Sequence, residues 1–408
     1  MNPEQPIHAL RKDLLFSPVE ENGQKFMVLS DPKGYAKQAI SFPEQMVSVF
    51  LLLDGKVSLK DLGKMLITES GEDYDTTPLI NLFEFLDYAG YMESPRYFEL
   101  KEDIDSYLKA PVRPPICVTG SYSEDRELLL DEISAIMNSV DSDSIEKKSS
   151  IIISPHLDYR TGKDTHEAYA SAYHSLDLEG VDTVVILGTS HFVDNGLFML
   201  SEKDFETPLA VAETDRELIS KIAELSDKEL IIDEIAHRSE HSVELQLLPI
   251  QYLMKDRNFK ILPILTGSFY KYVVEGTQPK DDPEFSAFID ALTKALGSLN
   301  RKAIFIAGAD FAHIGRKFED PFDAEPELDK LKIEDQSLID SLEVADADSF
   351  FKKIADVGDS RKICGLSPIY SLLKLCQPKS GKLLQYKQWN EVETKSAVTI
   401  ASMSFSNK

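Results

Sequence analysis

Eight histidines are spread over the 408 residues, and three of them share one context. His156 follows the apolar run Ile151–Ile153 in the phrase IIISPHLDY, His191 follows Thr183–Leu187 in VVILGTSHF, and His313 follows Ala303–Ile306 in AIFIAGADFAH. A fourth, His241, opens a helical pattern in AHRSEHSVELQL. Neutral imidazole is a frequent ligand of first-row metals and a general acid or base near neutral pH. Carboxylates interleave with these rings: Asp158 two residues beyond His156, Glu240 beside His241, and Asp310 ahead of His313. A single loop histidine is ordinarily satisfied by the backbone. Three after strand-like runs, plus one at a helix start, form a constellation. His166 and His174 fall inside the helical stretch Thr165–Leu176 and read as surface or core residues, and His8 is given no role. A competing pattern, His237-Arg238-Ser239-Glu240-His241, spells the H-x-x-E-H zinc motif. That chemistry needs both rings on one helical face. Here the apolar stripe (Val243, Leu247, Leu248) begins only after His241, Pro249 disturbs the helix, and His237 is expected in the preceding loop.

Elements that bring such rings together follow from the apolar runs. Ile151–Ile153, Thr183–Leu187, Lys260–Leu265 and Ala303–Ile306 are short, β-branched and continuous, as suits parallel strands buried on both faces. Helical patterns separate them. Asp215–Leu225 puts Leu218, Ile219, Ile222 and Leu225 on one face, and Asp282-Pro283 starts a helix that buries Phe285, Phe288, Ile289, Leu292 and Leu296. The alternation predicts an α/β fold with helices on both sides of one sheet. Ligands of such sheets collect at the carboxyl ends of the strands, where His156, His191 and His313 fall.

The first 110 residues differ in character. Asp13–Phe16 and Lys25–Leu29 flank Glu21-Asn22-Gly23, a hairpin signal. Helical patterns follow at Glu44–Leu53, Ser58–Thr68 and Thr77–Ala89; Ser58 is a suitable N-cap, with Leu59, Leu62, Met65 and Leu66 as the stripe. Three short helices and the extended tail Tyr91-Met92-Glu93 predict a small winged-helix-like α+β domain. The prolines of Ala110-Pro111-Val112-Arg113-Pro114-Pro115 mark the boundary, giving domains 1–110 and 111–408. No repeat is evident, and Asp141–Ser150 is the longest biased tract.

Composition excludes several classes. Lys plus Arg number 44 against 70 for Asp plus Glu, a net charge of −26 that repels nucleic acid and anionic membranes. The three cysteines, Cys117, Cys364 and Cys376, have no paired spacing for a disulfide framework or a CxxC zinc module. No apolar run approaches the roughly 20 residues of a spanning helix, and MNPEQPIHALRKD lacks a signal-peptide core. A cytoplasmic protein is expected.

From Arg113 to about Phe405 the phrases RPPICVTGSYS, SPHLDYRTG, ILGTSHF, TPLA, SEHSVELQLLPIQYL, ILPILTGSF, GADFAHIG, ICGLSPIYSLL and the closing SAVTIASMSF resemble, in order, those of the Memo family, also called AmmeMemoRadiSam system protein B. The resemblance implies a three-layer α/β/α domain like that of class III extradiol dioxygenases. It implies a divalent metal ion at one sheet edge, with iron or copper favoured and zinc still open. His156 and His191 would be its first ligands, and His241 would be an acid/base near the substrate, supported by His313 and Asp310. Asp158, where many relatives carry glycine, reads either as a substitute ligand or as the cap of the following helix, and His313 either as a ligand or as a donor to backbone or to Asp310. The third metal-type side chain is expected in GADFAHIG, where Ala312 has nothing to coordinate with; Asp310 and His313 flank it. Cys364 matches a Cys-Gly at a helix start, with a thiol either activated by the helix N-terminus or simply buried. The resemblance further implies a radical-SAM enzyme and an AMMECR-type protein as partners. LDGKVSLKDLGKML…LINLFEFLDYAGYM, within residues 10–95, resembles PqqD-like peptide-binding domains, so a peptide or a partner enzyme is the expected ligand there. Two functions stay open: a metal-dependent, dioxygenase-like oxidoreductase, or a non-catalytic accessory protein that kept the pocket but lost a ligand at Ala312. Transcription control through a winged helix conflicts with the charge.

Overall fold

Four strands occupy the centre of the larger unit. In the computed structural model, which describes residues 2–21, 23–36, 39–70 and 77–406, the apolar runs become strands Ile151–Ser154, Thr183–Thr189, Lys260–Thr266 and Ala303–Gly308. They pair in parallel in the order 151–154, 303–308, 183–189, 260–266. Every residue of Thr183–Thr189 is buried, so its sequence reads as a continuous apolar run.

Side chains alternate between two faces, and each face has its own core. Ile151, Ile153, Val185, Leu187, Leu262 and Ile264 pack with Phe285, Leu292, Leu338, Phe350 and Ile369. Those partners come from helices Pro283–Ser298, Leu328–Glu343, Ala347–Ala355 and Leu366–Cys376. On the other face Ile152, Val184, Ile186, Ile304 and Ile306 pack with Leu129, Tyr173 and Leu248 of helices Arg126–Met137, Lys163–His174 and Glu244–Leu253. This is an α/β fold with helices on both sides of a mixed sheet. Antiparallel members make it mixed: strand Ser396–Ser406 runs antiparallel to Ile151–Ser154, to His313–Gly315 and to its hairpin partner Ser380–Glu391, and strand Phe198–Leu200 runs antiparallel to Lys260–Thr266.

Local signals act as their chemistry requires. Asp282 accepts from Glu284 N at 2.9 Å ahead of Pro283, and Asp215 accepts from Leu218 N at 3.1 Å. Leu218, Ile219 and Ile222 are buried, but Leu225 ends its helix 37% exposed, outside the expected stripe. Pro249, expected to disturb its helix, lies within the continuous helix Glu244–Leu253. A proline there cannot donate to the carbonyl four residues back, and the Tyr159 hydroxyl donates to that Leu245 carbonyl instead.

The chain divides into two compact units, Met1–Ala110 and Pro111–Lys408. The first has an antiparallel sheet of Leu15–Glu21, Gln24–Ser30 and Ile40–Pro43, so the sheet precedes the helices. The expected hairpin forms, with Gly23 at φ +75°; Asn22 lies outside the described residues. The helix expected over 44–53 is a 3-10 turn, Glu44–Met46, followed by Val47–Leu51. Ser58 caps helix Leu59–Ser70 through Asp61 N at 3.1 Å; Leu59 and Leu62 are buried and Met65 is exposed, while the Leu66 side chain lies outside the described part. After helix Thr77–Tyr88, residue 92 makes a single bridge to Leu10. A further helix, Pro95–Lys109, was not expected from the sequence; Ser94 caps it by accepting from Tyr97 N. The unit is pinned by Arg11, whose guanidinium meets Asp31 at 2.7 and 2.9 Å between the Tyr35 and Tyr97 rings. No helix among the described residues is long and apolar enough to cross a membrane.

Candidate functional site

Parallel direction brings the ends of neighbouring strands to one edge, and three imidazoles meet there. The ring centroids of His156 and His191 are 5.0 Å apart, those of His156 and His241 5.2 Å, and those of His191 and His241 4.9 Å, the last pair stacked at 17°. Close approach depends on glycine: a Cβ on Gly188 would lie 2.4 Å from Ser242 Oγ, and one on Gly308 would lie 2.7 Å from the Ser242 carbonyl oxygen.

Hydrogen bonds fix how two of the rings face, and a charge-pair contact accompanies the third. His156 Nδ1 is 2.9 Å from the Gly308 carbonyl, which only accepts, so Nδ1 carries the proton and Nε2 keeps a lone pair. His191 Nδ1 lies 3.0 and 3.1 Å from the two oxygens of Glu240, and His241 Nδ1 lies 3.2 Å from one of them. Glu240 also accepts the backbone N–H groups of His191, His241 and Ser242 at 2.8–2.9 Å.

Cys364 completes a donor cluster. Its Sγ is 3.3 Å from His156 Nε2, and donor atoms of His156, His191 and Cys364 all lie within 4.8 Å of one another. The third donor therefore comes from ICGLSPIY, not from the GADFAHIG phrase. Ala312 is fully buried in the core, its N–H bonded to Thr399 Oγ1. Asp310 flanks the cluster: Oδ1 accepts His156 N at 2.9 Å, and Oδ2 is 3.7 Å from His156 Nε2.

Burial sets the protonation states. It lowers His156 well below its ordinary value, helped by the neighbouring His191 and His241. It also disfavours a charged His191, but the hydrogen bond and charge of Glu240 outweigh it, and His191 is raised. His241 is lowered, by burial first and then by His191, against the pull of Glu240. Burial opposes the Glu240 carboxylate, yet its bond to His191 and the charge of both rings hold it well below the usual range. Asp310 is pushed by burial up to about 7 despite the N–H groups of His156 and Leu157. Burial and Asp310 drive the Cys364 thiol well above its ordinary value, so the helix that starts two residues later, at Leu366, does not activate it.

A buried arginine holds the loop that carries Glu240. Arg113, fully inaccessible, donates to the carbonyls of His237 at 2.6 Å and Glu240 at 2.7 Å, and to Glu244 Oε2 at 2.6 Å. Glu244 accepts in addition from Ile116 N, Cys117 N and the Tyr122 hydroxyl. Composition gives no hint of this pair, since a lone Arg and a lone Glu 131 residues apart look like surface charges.

Other candidates lie elsewhere. Asp158 caps the turn Tyr159–Thr161, accepting Arg160 N at 2.8 Å and Ser121 Oγ at 2.8 Å, and is not in the donor cluster. His313 Nδ1 faces the carbonyls of Phe311 at 3.1 Å and Lys362 at 3.2 Å; burial lowers its pKa to about 4, and it too stands outside the cluster. His237 is in a short helix, Glu234–Arg238, rather than in a loop, and its Nε2 bonds the Met199 carbonyl at 3.0 Å. The H-x-x-E-H spacing thus forms no two-histidine metal face. His166 and His174 bond the carbonyls of Tyr159 and Met137. The three cysteines are unpaired.

Comparison with known proteins agrees with this architecture. Residues 113–404 match the family model described as Memo-like protein. A MEMO1 family protein of Aquifex aeolicus is 26% identical over 400 residues, spanning 97% of this chain and all of the relative. Relatives of the same description in Sulfolobus acidocaldarius and Thermococcus onnurineus are each 30% identical, covering 58% and 50% of this chain and 74% and 66% of their own lengths. The chain belongs to the Memo family.

Proposed function

We propose that the Pro111–Lys408 unit binds a transition-metal ion between His156, His191 and Cys364 and works as a metal-dependent, dioxygenase-like oxidoreductase. The observation that carries this reading is the donor set: two imidazoles whose Nδ1 protons are held by Gly308 O and Glu240, leaving Nε2 lone pairs, beside a thiol sulfur 3.3 Å from one of them. Two borderline nitrogens and one soft sulfur suit iron, copper or zinc and disfavour magnesium or calcium. Bound iron or copper supplies redox chemistry, whereas zinc supplies only Lewis acidity. His241, stacked on His191 and a third accessible, is placed to hold or receive a substrate proton. Cys364 supports this reading over that of an accessory protein short of a third donor.

Reconstitution with iron(II), copper or zinc followed by metal analysis tests it. About one metal per chain is expected, lost in His156→Ala and in Cys364→Ser. Less than about a tenth of a metal per chain in the wild type overturns the reading, because a working site fills by mass action. Family membership supports a place beside a radical-SAM enzyme and an AMMECR-type protein, with residues 1–110 as the docking unit for such a partner or its peptide. Pull-down of these two proteins by the full-length chain, and its loss on removal of residues 1–110, tests that placement.

A further inference from the structure

We infer that Glu240 is a shared positioning residue, one carboxylate that sets the tautomer and orientation of His191 and holds the main chain of the His241 segment. Four N–H groups of residues 191, 241 and 242 converge on its two oxygens, with the His241 Nδ1 at 3.2 Å. A carboxylate only accepts, so His191 turns its Nδ1 proton toward Glu240 and its Nε2 lone pair away. His241 is tied to the same group by its backbone N–H, and the two rings stack 4.9 Å apart. His156 has a separate anchor, the Gly308 carbonyl, so Glu240 serves one ring of the three through its Nδ1 and a second through its main chain.

The carboxylate is held from behind. Its side chain is 1% exposed, and its own backbone carbonyl accepts from Arg113 at 2.7 Å. No shorter or singly accepting side chain does the same work. Glutamine offers one acceptor oxygen and turns an NH2 group toward N–H donors; aspartate is one methylene shorter. The partner of a metal-ligating histidine usually affects affinity by about 10–100-fold. For this chain the partner also holds the main chain of a second histidine that is not in the donor cluster, so metal affinity and the position of the His241 segment change together on substitution.

The test has an arm that needs no metal. Long-range nitrogen–proton spectra of the full-length, metal-free chain, labelled at histidine and recorded above pH 8, report the tautomer of each ring. The expected result is the Nδ1–H form for His191 in the wild type, with loss of that form and a displaced His241 amide signal in Glu240→Gln. Nε2–H at His191 in the wild type overturns the inference even where a variant fails to fold, as does an unchanged His191 tautomer or an unchanged His241 amide in a folded Glu240→Gln. The second arm rests on the proposed metal site: zinc affinity is expected to fall about 10–100-fold in Glu240→Gln, with partial recovery in Glu240→Asp. Equal affinity in a folded Glu240→Gln overturns the His191 part, whereas a wild type that binds no zinc, copper or iron overturns the metal reading and leaves the tautomer arm standing.

Discussion

Replacing Arg113 with methionine keeps much of the side-chain volume and removes a charge that no solvent reaches. Glu244, itself fully buried, then keeps its bonds to Ile116 N, Cys117 N and Tyr122 OH but loses its counter-charge. The carbonyls of His237 and Glu240 lose their donor as well. Breaking a buried pair from one side costs about 3–5 kcal/mol, because an uncompensated charge stays behind. For a unit near 300 residues about 2 °C of Tm accompanies each kcal/mol, so a drop of about 6–10 °C is expected for Arg113→Met in thermal melts at pH 7. Glu244→Gln leaves the arginine uncompensated and falls in the same range. The double variant Arg113→Met/Glu244→Gln removes both charges and costs less than the sum of the two. Sign with pH follows from Glu244: burial opposes its charge, but Arg113 and Tyr122 hold it below 4.5. Such a group contributes stability above its unfolded value and loses it as pH falls through the folded one. The gap between wild type and Glu244→Gln therefore narrows below about pH 4.5. A Tm for Arg113→Met within 2 °C of the wild type, or losses in the double variant that add within about 0.5 kcal/mol, refutes the reasoning.

Three other outcomes are expected. Cys364→Ala keeps the fold, since the thiol packs without a covalent partner, but weakens zinc and copper binding far more than Asp158→Asn; equal loss in the two, measured by competition with a chelator, would return Asp158 to the donor set. Gly308→Ala drives a Cβ to 2.7 Å from the Ser242 carbonyl and 2.9 Å from Gln246 Nε2, so a loss of about 1–3 kcal/mol in urea unfolding is expected, with the His241 segment displaced in amide spectra. Arg11→Met strips the buried Asp31 of its partner and lowers protection from amide exchange across residues 15–30 and 95–109, while exchange in strands 183–189 and 303–308 stays as it was; loss spread over both units contradicts a separate core for residues 1–110.

How much of this was legible depends on the range of the interaction that decides it. His156 and His191 could be paired from the sequence because strand direction is written locally: continuous β-branched runs say parallel and buried, and a residue three or four positions past such a run lands at the carboxyl edge. His313, seven positions past Ile306, was read by the same rule and points elsewhere. After Gly308 the chain does not continue straight into a helix; Phe311 N and His313 N bond Thr399 O and Arg361 O, and this turns the His313 ring toward the carbonyls of Phe311 and Lys362. Of the two readings open for Asp158, the cap is the one taken, for a local reason: two residues past His156 is also the N-cap position of the turn Tyr159–Thr161, and the nearby backbone N–H competes successfully for the carboxylate.

What stayed hidden is long-range and polar. Cys364 reaches His156 across 208 residues of chain, and Arg113 reaches Glu244 across 131, with no periodicity to announce either contact. Apolar patterning specifies which face of an element is buried, but a buried polar group is specified only by its partner. Glu240 shows the consequence. In sequence it is a charge beside a histidine within a zinc-like motif; in space it takes four N–H groups and is braced through its own carbonyl by Arg113. Since His237 of that motif turns to the Met199 carbonyl, the pair that matters is Glu240 with His191, not with His237. The motif fails here because helix register, which would place two histidines on one face, is interrupted between Arg238 and Glu244, and that interruption is what frees Glu240 to serve the strand-end ring.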